Sequence, residues 1–159
     1  MPKPRGSAPV LFLLISLAAG CGSEEPSACS GFGDRKLAIT GSEYRSCANE
    51  ILSALDEVEP PLRKLVSGSG ADSERDAAQS AYRRLSSLIR QTGIEADYRS
   101  MRPGTAITKW PDSSVSSFNL AAFTAKVQYM AVISHPNADN FAQGVKAHDD
   151  ARRYHRAIR

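Results

Sequence analysis

The chain lacks the short motifs by which hydrolytic, phosphate-binding or zinc chemistry is recognised along a sequence. It has no G-x-S-x-G elbow, no P-loop and no H-E-x-x-H pair. C-x-x-C-H, the attachment signature of covalent haem, is missing as well. With three histidines and serines scattered on polar faces, a hydrolase would need a triad assembled only in space. Aromatic residues are few, and the single Trp110, between Lys109 and Pro111, reads as cover over the end of a core or as an exposed anchor. Beyond residue 20 no apolar run is both uncharged and close to the roughly 20 residues a spanning helix needs. No repeat occurs at solenoid periods.

What is present is concentrated first at the N-terminus. Lys3 and Arg5 precede the apolar run from Ala8 to Ala19, and Ala18-Ala19-Gly20 places small residues directly before Cys21. A positive start, an apolar core and a small-residue junction form an export signal. Leu17, Ala18, Ala19, Gly20 and Cys21 resemble the lipobox of bacterial lipoproteins, in which Leu is commoner at the position of Ala18. The resemblance covers only residues 1–21. It implies cleavage before Cys21, a diacylglycerol on the Cys21 thiol and acylation of the new N-terminus, and two or three acyl chains suffice for stable anchoring. Gly22, where lipoproteins retained at the inner membrane often have aspartate, resembles the outer-membrane class and implies the periplasmic face of that membrane where the organism has one. The expected organisation is a signal peptide over 1–20, the lipidated cysteine and a flexible tether over 21–41, and one domain over 42–159.

Loss of the signal removes Lys3 and Arg5 and lowers the formal net charge from +3 to +1. A nearly neutral, exported chain gives no reason to expect a nucleic-acid partner. If Cys21 carries lipid, Cys29 and Cys47 remain, in a compartment that permits disulfides. A bridge between them would close a loop of nearly twenty residues, worth about 3 kcal/mol by chain entropy. The alternative is a buried Cys47 and a free Cys29.

The domain reads as mainly α. Tyr44, Cys47, Ala48, Ile51, Leu52, Leu55 and Val58 recur at three- and four-residue steps from Ser42 onwards, with Thr40 and Glu43 at capping-box spacing and Ser42 as the other candidate cap. Pro60-Pro61 interrupts the pattern while Leu62, Leu65 and Val66 keep its phase, which predicts a kinked helix or two short ones. Ala78, Ala81, Tyr82, Leu85, Leu88 and Ile89 mark a second helix, started by Asp72 or Ser73 and ended by Gly93, with Ile94 placed to pack on Ile89. Alternation over Thr105–Trp110 and turn chemistry at Pro111-Asp112 predict a short β-hairpin over 105–118, or an irregular insertion there. Asn119 is the expected cap of a third helix, with Leu120, Phe123, Val127, Met130, Ala131 and Ile133 apolar on most sides and therefore central. A fourth starts near Asn137 and carries Phe141, Val145, Ala151, Tyr154 and Ile158. About four principal helices with short connections make a helical bundle.

Two features of the last helix are candidate sites. His148 and His155 share a face two turns apart, about 10.5 Å, too far to hold one metal ion, with Arg152 between them. They read as solvated histidines, and no metal is expected. Tyr154-His155 is similar to the last helix of four-helix-bundle b-type cytochromes, where that histidine ligates haem. The methionine that the family supplies from its first helix has no counterpart before Met101 in the mature chain, and no cofactor is expected. Arg152, Arg153 and Arg156 could contact an anionic surface, or simply complement the helix dipole and pair with Asp149. The whole reads as a lipid-anchored envelope protein with a structural or binding role. A bundle enclosing a small apolar ligand or haem, and an unrecognised hydrolase, are the alternatives.

Overall fold

The computed structural model describes residues 27–35, 39–70, 72–100 and 112–159. Its elements are helices: α1 (Phe32–Arg35), α2 (Gly41–Val66), α3 (Asp72–Gln91), α4 (Ile94–Ser100), α5 (Ser113–Ser134) and α6 (Ala138–Ala157), and the described residues include no strand. Four of the helices are long and form the expected bundle. The most extensive packing is α5 on α6 and α2 on α3, while α2 and α5 meet across the centre.

Local side-chain hydrogen bonds and one glycine mark several of the helix ends. Thr40 and Glu43 form a reciprocal capping box on α2, the hydroxyl accepting from the Glu43 N–H and the carboxylate accepting from the Thr40 N–H. Asn137 accepts from the N–H groups of Asp139 and Asn140 at the start of α6. Gly93, at φ 71°, turns the chain out of α3 in the left-handed conformation that costs a residue with a Cβ 1–2 kcal/mol. Ile94 is then buried at the head of α4.

Pro60 and Pro61 lie inside one continuous α2. They remove the N–H donors to the carbonyls of Asp56 and Glu57, a defect that commonly breaks a helix. Val58 and Leu62, on either side, are both fully buried, and their burial keeps the two halves in one phase. The α2 stripe of Tyr44, Cys47, Ala48, Ile51, Leu55, Val58 and Leu62 is entirely inaccessible.

Three expectations about α5 change. Val115–Phe118 are not the second strand of a hairpin but the first turns of α5, because Asp112 accepts from the N–H groups of Ser114 and Val115 and starts the helix there. The proposed first strand, with Ile107 and Trp110, falls outside the described residues. Asn119 is accordingly no cap. It sits within α5, buried, accepting a hydrogen bond from the Tyr44 hydroxyl at 2.5 Å. Leu120, Val127 and Met130, read as core, are 40%, 47% and 47% exposed, while Lys126 is buried and paired with Glu95 of α4 at 3.0 Å. An almost uniformly apolar helix carries no polar stripe to mark its outer face, so the neighbours decide which side is buried.

Residues 27–35 of the expected tether pack against the domain. Cys29 and Phe32 are core residues, Ile39 further on is another, and Ser27 donates to Glu50 at 2.9 Å. Cys29 and Cys47 form the disulfide, with Cα atoms 4.6 Å apart.

Candidate functional site

Among the described residues a connected cluster of ionisable groups lies where α2, α5 and α6 meet, just before the prolines of α2. His148 of α6 is fully buried, not solvated. Its Nδ1 lies 3.0 Å from Glu59 Oε2 and 3.3 Å from the Tyr129 hydroxyl, and its Nε2 lies 3.1 Å from Asp56 Oδ1. Asp56 and Glu59 are three residues apart on α2 and therefore share a face. Each carboxylate is also held by an arginine: Arg63 donates to Glu59 Oε1 at 2.6 Å, and Arg152 donates to Asp56 Oδ1, the oxygen that also faces Nε2, at 2.5 Å and to Asp149 at 2.8 Å. The result is an alternating chain, Arg63–Glu59–His148–Asp56–Arg152–Asp149, with the imidazole at its buried centre.

Burial drives the imidazole pKa below its ordinary 6.5, and the Arg152 charge lowers it further, against the opposing pull of Asp56 and Glu59. The ring is therefore neutral at pH 7. Both carboxylates only accept, but the contact to Glu59 has hydrogen-bond geometry and that to Asp56 does not, so the tautomer with its proton on Nδ1 fits the site. Nε2 is then a bare acceptor facing the Asp56 carboxylate with no aligned hydrogen bond, and Arg152 supplies the charge that makes this approach tolerable. Tyr129, buried beneath the cluster, has its phenol pKa pushed up by burial and by Glu59, so it stays protonated.

Tyr129 owes its position to Gly144. A Cβ at 144 would stand 2.5–2.6 Å from the Tyr129 ring, so the phenol lies directly against the α6 backbone and points its hydroxyl at the next turn. Outside, Arg63, Phe141, Val145, Lys146 and Asp149 line a surface groove of about 450 Å³, with the Arg63 guanidinium 5.2 Å from the centre of the Phe141 ring. Solvent reaches Asp56 and the outer members of the chain, while the His148 side chain is inaccessible. No serine takes part, and His148, the group able to act as a base, is sealed from the groove. The arrangement fixes α6 to α2 and α5 through oriented polar contacts, which specify one register where apolar packing alone is more permissive.

Cys21 lies outside the described residues. The three arginines of the tail do not act alike. Arg152 is committed to Asp56 and Asp149. Arg153 pairs with Asp150 at 3.0 Å and lies 4.9 Å from the Tyr154 ring centre, while Arg156 is exposed without an ion pair among the described residues. His155 packs 6.2 Å from the ring of Phe118, with Nε2 buried and without a hydrogen bond. Burial, with Arg45 and Arg156 nearby, lowers its pKa. Among the described residues no group of three His, Cys, Asp or Glu side chains is arranged to hold a metal.

Sequence reading missed the cluster because Asp56 and Glu59 flank the apolar α2 stripe and look like ordinary surface acids. The available signal was Gly144 in mid-helix, since an unforced glycine there costs about 1 kcal/mol and implies a close neighbour. Comparison with protein-family models, with curated proteins and with solved structures finds no match.

Proposed function

We propose that this chain is a lipid-anchored protein of the cell envelope whose helical domain has a structural or binding role. The observation that carries the reading is Cys21, placed directly after Ala18-Ala19-Gly20 at the end of a short apolar run that Lys3 and Arg5 precede. Three features of the domain support it. The disulfide between Cys29 and Cys47 suits an oxidising compartment outside the cytoplasm. Among the described residues no helix is long and apolar enough to cross a membrane, so attachment would fall to the lipid. Ser27, only six residues after Cys21, is fastened to Glu50, and six extended residues span about 20 Å. The domain would therefore work close to the bilayer surface, on the outer membrane where there is one.

A binding role accords with His148, whose partners are Glu59, Tyr129 and Asp56 and whose ring is closed to solvent. A general base must reach the proton it abstracts. The test is metabolic labelling with a palmitate analogue, followed by membrane fractionation. The wild-type chain should carry the label and sediment with membranes, and Cys21→Ser should lose both. Unlabelled wild-type protein, or a Cys21→Ser variant that stays with the membrane, refutes the anchor.

A further inference from the structure

The outer side of α5 is unusual for a surface helix. From Ser113 to Ser134 its one charged residue is Lys126, and that side chain is turned inward to Glu95. The face left to solvent carries Leu120, Val127 and Met130 and no charge. On one side this face borders α3, where Arg75, Gln79, Tyr82 and Arg83 lie within one stripe of helical spacing. Between the two helices runs an open surface groove of about 430 Å³, floored by Met130 and Ile133 and walled by those four α3 residues.

Among the described residues the guanidinium charge of this groove is not paired with a carboxylate; Glu95, itself bound to Lys126, bears on Tyr82. Arg75 donates from Nη1 to the Ile133 carbonyl at 3.5 Å, a contact that lays the guanidinium along the groove and leaves its other donors free. Arg83 is exposed, and neither arginine is ion-paired with a carboxylate among the described residues. Four other basic residues that face a neighbouring helix are matched by carboxylates, Lys64 by Glu74, Arg84 by Glu57, Lys126 by Glu95 and Arg152 by Asp56, while Arg45 donates to the Ile158 carbonyl. Two planar guanidiniums beside an apolar floor, with a phenol and an amide to complete the polar wall, are complementary to an anionic head carrying a hydrocarbon tail.

We propose that the α3–α5 groove is a binding site for a single-chain amphiphilic anion, its carboxylate or phosphate head held by Arg75 and Arg83 and its tail lying on Met130 and Val127. Gln79 and Tyr82 supply further hydrogen bonds to the head. The uncharged face of α5 gives the tail a path that crosses no ionised group. The site does not depend on lipidation of Cys21.

The proposal is tested by calorimetric titration of the full chain, and of its Cys21→Ser form, with sodium laurate below its micelle concentration. Three controls accompany it: dodecyl maltoside has the tail without charge, inorganic phosphate has charge without the tail, and phosphatidylglycerol vesicles offer the head as part of a bilayer. Laurate should bind both forms saturably at one site, at least tenfold more tightly than either soluble control. Arg83→Gln and, separately, Met130→Glu should each weaken it at least tenfold while leaving the circular-dichroism melting curve in place, since Arg83 and Met130 are exposed, and adding Arg75→Gln to the first should weaken binding further. Non-saturable binding, equal affinity for dodecyl maltoside, or affinity unchanged in the folded variants overturns the proposal. Arginine-dependent binding to the vesicles without binding of monomeric laurate overturns it in favour of a bilayer-facing surface.

Discussion

Replacing Gly144 with alanine sets two known effects against each other in one methyl group. In an unobstructed helix interior the change stabilises by about 1 kcal/mol, because alanine loses less backbone entropy on folding. Here the new methyl would lie 2.5 Å from Cε1 and 2.6 Å from Cδ1 of Tyr129, and 3.3 Å from the Gln128 Cβ. Relaxed carbon contacts are about 3.5–4.0 Å, so the ring must retreat by roughly 1 Å. It has little freedom to do so: Tyr129 is wholly buried, stacked on Phe141 with ring centres 6.5 Å apart, and hydrogen-bonded to His148. Overpacking of a close-packed interior costs about 1–3 kcal/mol, and any tilt of the phenol also weakens the His148 contact. The clash should therefore match or exceed the propensity gain, giving a net loss of about 0–2 kcal/mol, read by urea unfolding monitored at 222 nm. Introduced together with Tyr129→Val, which vacates the space, the same alanine should recover its stabilising sign. A double-mutant cycle isolates that coupling. A gain near 1 kcal/mol for Gly144→Ala in the wild-type background would refute the close approach of α5 and α6.

The buried imidazole makes stability depend on pH. Because the folded-state pKa of His148 lies below the unfolded value of about 6.5, its stabilising contribution is complete above that pH and is lost as pH falls through the folded value, at about 1.4 kcal/mol per unit of separation. His155 contributes in the same direction, and a His148→Gln variant should show a shallower loss between pH 7 and 5; an equally steep loss removes His148 as the cause. Tyr44→Phe should cost about 1–3 kcal/mol, because Asn119, whose Nδ2 is already without a partner, then loses its donor as well. Combining it with Asn119→Leu should restore much of that loss by urea unfolding, whereas additive losses would argue against the pair. Cys29→Ala with Cys47→Ala should lower stability by about 3 kcal/mol, since it opens a loop with a sequence separation of 18; unchanged stability, or two thiols titratable in the native protein without reductant, contradicts the bridge.

Periodicity alone determined the helices with a clear polar side. The α2 stripe from Tyr44 to Leu62 and the α3 positions Ala78, Leu85, Leu88 and Ile89 are buried as their spacing requires, and Thr40, Asn137 and Gly93 mark boundaries through local hydrogen bonds and backbone geometry that neighbouring residues suffice to define. The continuity of α2 through Pro60-Pro61 was open in the sequence, because local chemistry favours a break and only burial of Val58 and Leu62 against other helices outweighs it. In α5 the sequence holds too little contrast to orient the helix. Whether Leu120 or Lys126 faces inward depends on Glu95 of α4, on Tyr44 of α2 and on the helices beside them, none of which is near in the chain. The same holds for His148: an isolated α6 would present it to water, and it becomes a buried neutral base only because Asp56, Glu59 and Tyr129 arrive from two other helices. Local interactions are encoded within a few residues of where they act, whereas burial and charge pairing are properties of the assembled bundle.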